Sequence, residues 1–185
     1  MNLILLQPGN PALLDALSDV GDMDRSKWAG MLPDCGPCIE LISVHQGMKQ
    51  QVSTDVSNSA RTSGRPILSE FTLTKYIDRT SVNLYGLCLR AEPLGKGASA
   101  PTRLHIMRAA GEQPASLITF ALRDAIISEI QFQTHPNDMP TEQFKLSFTE
   151  ILWTYDAQQS RSKGVAAQTT GWSVLKNRSI EQFTN

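Results

Sequence analysis

Between Phe71 and Trp172 the chain alternates apolar and polar residues segment after segment, and such a backbone buries its apolar groups only as a sheet. Phe71 and Leu73, then Ile126, Ile130 and Phe132, then Phe144, Leu146 and Phe148 fall at even spacings, the period that lines one strand face. The reading is a mainly β chain that builds a sheet surface, with one helix interrupting its strands. At 185 residues it fits a single domain, 1–185, with enough chain to bury a core unaided by staples.

The segments outside that pattern define the rest of the expected organisation. Leu3-Ile-Leu-Leu6 has no basic residue before it and is too short for a secretory signal, so it reads as a buried strand. No stretch reaches the roughly 20 apolar residues of a membrane-spanning helix, and synthesis in a reducing cytoplasm suits three cysteines. Residues 8–38 read as an irregular or helical insertion outside the sheet. Asn10 caps a helix that has Pro11 in its first turn and runs to Leu17, and a second short helix runs from Asp24 to Met31. Strands are expected over Ile39–Val44, Met48–Val56, Phe71–Ile77, Arg103–Arg108, Leu117–Leu122, Ile126–Gln133 and Gly171–Val174.

One helix interrupts them. Ser81 serves as its cap, and Leu84, Leu87, Cys88 and Ala91 form its apolar stripe. Gly95–Pro101 reads as a mobile loop and 177–185 as a flexible tail. Phe144, Leu146 and Phe148 are even-numbered whereas Ile151, Trp153 and Tyr155 are odd, so a β-bulge near Thr149 or Glu150 is expected to restore one face.

Chemistry is sparse. Acidic and basic residues number 18 and 17, leaving a formal charge of −1 with no basic patch for nucleic acid. Cys35-Gly-Pro-Cys38 has the thioredoxin tetrad, but Ile39 onward alternates like a strand where that chemistry needs a helix. It reads as a turn, with an incidental Cys35–Cys38 disulfide or thiol–disulfide exchange as alternatives. His45, His105 and His135 lie on separate elements without metal-ligand spacing and read as surface or interface residues. No cofactor, metal site or catalytic group is expected.

Phe71–Leu84 resembles the strand-then-helix segment of the haemolysin-coregulated proteins, tube subunits of bacterial type VI secretion systems. The resemblance continues through Leu104–Gly111, Leu122–Ile130, Phe148–Tyr155 and Gly171-Trp172, in family order, over roughly residues 39–176. Residues 8–38 depart from it, because typical members carry only a short turn there.

The resemblance implies a tail-tube-like β-barrel of two packed antiparallel sheets with one flanking α-helix, and homohexameric rings stacked into a hollow tube, expelled by a contractile sheath under a spike protein and carrying effectors. The chain then leaves the cytoplasm through that apparatus without inserting into a membrane. It also implies that the loop Asn58, Ser59, Ala60, Arg61, Thr62, Ser63, Gly64 and Arg65 reaches the adjacent ring, with Arg61 and Arg65 meeting carboxylates there. A phage tail-tube subunit is the nearest competing assignment, and a lone carbohydrate- or peptide-binding barrel is a further one.

Overall fold

The alternation is realised as three antiparallel sheets in a computed structural model that describes residues 3–15, 36–54, 57, 64–110, 113–155 and 167–184. The strands are β1 (Leu3–Gln7), β2 (Ile39–Leu41), β3 (Ser43–His45), β4 (Met48–Lys49), β5 (Ile67–Leu68), β6 (Phe71–Tyr76) and β7 (Thr102–Ala110). They continue with β8 (Gln113–Arg123), β9 (Ile126–Gln133), β10 (Thr141–Ser147), β11 (Glu150–Tyr155), β12 (Gln168–Ser173) and β13 (Arg178–Ile180). The larger sheet has seven strands in the order β13-β12-β11-β8-β7-β1-β2, and the smaller has four, β3-β6-β10-β9. A third, two-stranded ribbon pairs β4 with β5.

The core lies between the two larger sheets. Leu6, Leu104, Leu122 and Ile151 of the seven-stranded sheet meet Phe71, Leu73, Phe144 and Leu146 of the four-stranded one, all essentially fully buried. Phe71 joins the layers: its ring packs edge-on against Phe120 at 5.3 Å and tilted against Phe148 at 5.8 Å. The chain crosses between sheets at Ile42, at Asp124-Ala125 and at Phe148-Thr149. Asp124 adopts φ 50° at its crossing, a left-handed conformation that aspartate tolerates better than most residues. Its carboxylate accepts a hydrogen bond from the Gly97 amide at 2.7 Å.

These crossings correct the expected bulge. Phe144–Phe148 and Ile151–Tyr155 are out of phase because they belong to different strands in different sheets, joined by a corner at Phe148-Thr149. Bulges occur elsewhere. Leu146 pairs with Ile127 and Lys145 with Glu129, so Ser128 is the extra residue of β9. That extra residue puts Ile127, in place of Ile126, on the core face with Ile130.

Among the described residues two helices are present, and both fall where helices were expected. In α1 (Ala12–Asp15) the Ala12 amide donates to Asn10 Oδ1 at 3.2 Å, as the capping argument required. Leu14 is buried in the main core, so this part of the insertion is not a decoration outside it; residues 16–35, including the expected helix from Asp24, lie outside the described residues. The second helix, α2 (Thr80–Arg90), has Arg79 at its N-cap position, and the side-chain bond to its first turn comes from Asp78, one residue earlier, rather than from Ser81. Asp78 Oδ1 accepts from the Thr80 amide at 2.7 Å, and Ser81 lies buried in the first turn. Ala91 closes the helix at φ 51°, its amide donating to Cys88 and that of Glu92 to Leu87.

Gly95–Pro101 is held in place, contrary to the mobile loop expected. The Leu94 amide donates to Ala125 O and the Asn10 amide to Leu94 O, each at 2.8 Å. The backbones of Gly9, Gly95 and Ala100 then approach so closely that a Cβ on Gly95 would lie 2.2 Å from Ala100 O. The tail is also ordered: β13 pairs with β12, Ile180 is buried, and Thr184 is bonded into the body. A short polar strand with one apolar residue gives no alternation to detect.

Candidate functional site: assembly surfaces

In the four-stranded sheet each strand's alternate residues line up across the register. One face carries the rows Val44-Leu73-Phe144-Ile130 and Phe71-Leu146-Ile127, which form core. The other carries His45-Thr72-Lys145-Glu129, then Ser43-Thr74-Gln143-Gln131, then Tyr76-Thr141-Gln133. That outer face is half-buried to exposed and almost entirely polar. Its charges pair off. A hydrogen bond from Lys145 holds Glu129 below the usual carboxylate range, and the same contact raises Lys145. The sheet therefore offers a polar, nearly neutral wall whose edge strands among the described residues are β3 and β9, the latter bridged only at Ile126, by Pro93.

A third row on the core side, Lys75-Glu142-Phe132, is polar and fully buried at its first two positions and ends on the exposed Phe132. Lys75 on β6 lies opposite Glu142 on β10, and both have 0% side-chain exposure. Lys75 Nζ donates to Glu142 Oε1 at 2.9 Å, to Tyr76 O at 2.8 Å and to Ser81 Oγ at 3.1 Å, and lies 2.9 Å from Asp78 Oδ1. Ser81 Oγ donates to Glu142 Oε1 at 2.8 Å. Burial and then the Glu142 carboxylate push the Tyr85 hydroxyl up to about 12. The network fastens the start of α2 to two strands. The donors of Lys75 and Ser81 are all engaged within it.

A second buried carboxylate holds the carboxy-terminal segment. Glu150 Oε1 accepts from Thr184 Oγ1 at 2.6 Å, and Oε2 accepts from the Thr184 amide at 2.9 Å and from Arg123 Nη1 at 3.1 Å. Burial alone would raise this carboxyl, but the bonds from Thr184, Arg123 and Ser173 outweigh it and lower it to about 2.

The polar loop expected at Asn58–Arg65 falls in sequence between β4 and β5, which pair as a ribbon. Gln50 Nε2 donates to Gly64 O at 3.3 Å, closing the ribbon towards its tip, and Ser69 Oγ bonds both the amide and the carbonyl of Gly47 at its root. Gly64 and Arg65 are exposed; Asn58, Ser59, Ala60, Arg61, Thr62 and Ser63 lie outside the described residues. Met48, Val52 and Ile67 are apolar and exposed along this arm.

The cysteine tetrad leads into strand β2, not into a helix, and Cys38 is buried with its thiol donating to Gly36 O at 3.4 Å. Cys35, and with it the expected disulfide, lies outside the described residues. His45 and His135 are exposed, as expected. His105 is not: it is buried between Gln7 Oε1 at 3.0 Å and Thr119 Oγ1 at 3.3 Å, tying β1, β7 and β8 together. Among the described residues no three or more His, Cys, Asp or Glu gather as a metal site, and no helix is long and apolar enough to cross a membrane. Sequence reasoning missed both buried carboxylates, although Lys75 is in phase with Phe71 and Leu73, and Glu142 with Phe144 and Leu146.

Comparison with known proteins agrees with this architecture. A solved structure described as a type six secretion system protein superposes with a TM-score of 0.70 at 17% identity, covering 97% of this chain and 100% of that one. Hcp1 from Salmonella typhimurium gives 0.66 at 18% identity, over 97% and 99%. A type VI secretion system effector from Yersinia pestis gives 0.59 at 17% identity, over 94% and 100%. No curated protein sequence matches significantly. At these identities the superpositions establish the fold. The family follows from the sequence, because the model of the type VI secretion system effector Hcp matches residues 37–155, well over half of the chain. This chain belongs to the Hcp family of type VI secretion system proteins.

Proposed function

We propose that this Hcp protein is a structural subunit of the secretion tube, assembling as homohexameric rings that stack into a hollow conduit. The observation that carries the reading is the four-stranded sheet, with its polar outer face and its two open edges. A ring closed by rotation needs two different surfaces on each copy, one for each neighbour. Edges β3 and β9 are such a pair, and joining them around the ring turns the rows of Ser43, Thr74, Gln143 and Gln131 into a lumen wall. A wall that is wet and nearly neutral fits passage of effector proteins of differing charge, because it neither traps nor repels one sign.

The arm ending at Asn58–Arg65 reaches the adjacent ring, where Arg61 and Arg65 pair with carboxylates. Spike, sheath and effector proteins are the other partners, and the chain leaves the cytoplasm through the apparatus. Arg61→Glu separates the two levels of assembly. Negative-stain images of the concentrated variant are expected to show open rings as for the unaltered protein, but without stacks. Stacks of ordinary length in Arg61→Glu would remove the loop from the account, and absence of rings in the unaltered protein would remove the tube.

A further inference from the structure

We propose that each copy grips the next in a single register of the edge strands β9 and β3, with Phe132 packed against Ile42 of the neighbour and Glu129 set beside its His45. The inference rests on the tube reading and names the residues of the ring seam, which that reading leaves open.

Strand direction comes first. β3 pairs antiparallel with β6, β6 with β10 and β10 with β9, so β3 and β9 run in opposite directions. Rotation about an axis near the strand direction carries each strand's direction into itself. β9 of one copy and β3 of the next therefore meet antiparallel, as every other pair in the sheet does. Alternation then restricts the register to steps of two residues, since an odd shift would turn core side chains to the outer face.

The side chains choose among those steps. Extending the β3–β6 register by one residue sets Ile42 beside Lys75, and the Ile42 amide donates to Thr74 O at 2.7 Å. Ile42 and Phe132 thus end the same core-side row, Ile42-Lys75-Glu142-Phe132, one at each edge. They are 44 and 61% exposed, although the two residues between them are fully buried. Scattered exposed apolar residues need no explanation, but two that end one core-side row at opposite edges can cover each other between copies. With the rows level across the seam, Phe132 meets Ile42, Ile130 meets Val44 and Gln131 meets Ser43 of the neighbour. Each edge strand also carries one ionisable residue, Glu129 on β9 and His45 on β3, and the same register brings these together on the outer face. A step of two one way leaves Ile42 opposite Thr134; the other way leaves Phe132 past the corner at Ile42. Either step parts Glu129 from His45.

Cysteine pairs read the register directly. Within one chain Ser43 and Gln131 stand three strand spacings apart, about 14 Å, beyond the roughly 4.4–6.8 Å Cα separation of a disulfide, so a new bridge joins two copies. Mild oxidation of Ser43→Cys/Gln131→Cys is expected to give covalent multimers that stop at six chains on a non-reducing gel, absent from both single-cysteine variants. The stepped pair Ser43→Cys/Gln133→Cys is expected to give at least threefold less. Phe132→Glu is expected to abolish rings while leaving the circular dichroism of the chain unchanged, and Phe132→Leu to keep them. Open rings with no multimers, equal or stronger bridging in the stepped pair, or ordinary rings in Phe132→Glu would overturn the seam and leave the tube reading standing. Monomers of the unaltered protein by light scattering, with no multimers from either pair, would overturn both.

Discussion

Replacing Lys75 by methionine keeps most of the buried aliphatic volume and removes only the ammonium group, which isolates the electrostatic contribution of the network. In the native protein that ammonium meets Glu142, Asp78, Ser81 and the Tyr76 carbonyl, all within 3.1 Å. Without it the fully buried Glu142 carboxylate keeps the Ser81 hydroxyl as a donor but has no counter-charge. Removing one partner of a buried ion pair costs about 3–5 kcal/mol.

The deficit of Lys75→Met is therefore expected to be about 4 kcal/mol. Lys75→Met/Glu142→Leu removes both charges and is expected to regain most of the loss, with a coupling energy of about 2–3 kcal/mol. Urea denaturation at one fixed protein concentration measures all three variants, fixed because self-association stabilises the folded state. A loss below about 1 kcal/mol in Lys75→Met, or a double variant as damaged as the sum of the singles, would refute the reasoning.

The other expectations follow from contacts equally specific. The folded Glu150 carboxyl is lowered to about 2, so its contribution is complete above the ordinary carboxylate range near 4.5 and is lost as pH falls towards 2. That contribution is roughly 3 kcal/mol, and Glu150→Gln is expected to flatten the acid limb of a stability–pH curve; an unchanged limb would remove the clasp from the account. Gly95→Ala places a methyl 2.2 Å from Ala100 O and 2.6 Å from Gly9 Cα, backbone atoms that cannot turn aside. It is expected to cost about 3 kcal/mol in the same denaturation assay, and a neutral result would mean that this junction is loose.

The sequence shows its strands well and their partnerships poorly. β6, β9 and β1 are legible because each alternates or clusters its apolar residues within one sheet. The Phe148-Thr149 corner is not, since a change of sheet and a bulge leave the same phase shift in a one-dimensional pattern. The first-turn bond to Asp78 was hidden by a neighbour of equal propensity, Ser81, whose hydroxyl is turned to Glu142. Lys75 and Glu142 carried a signal in their inward phase, but a charged residue at an inward position reads as a broken pattern until its partner, 67 residues away, is found. The clasp at Thr184 has no periodic signal at all, because a single residue closing on Glu150 repeats nothing.

The claim at the centre of this account is that one polar-faced sheet with two open edges closes into a ring. Absolute mass of the purified chain by light scattering during size exclusion tests it most directly. The account predicts a single species of about six times the 20.4 kDa chain, seen as open rings in images of the same peak. A species of one chain mass at all concentrations would contradict it.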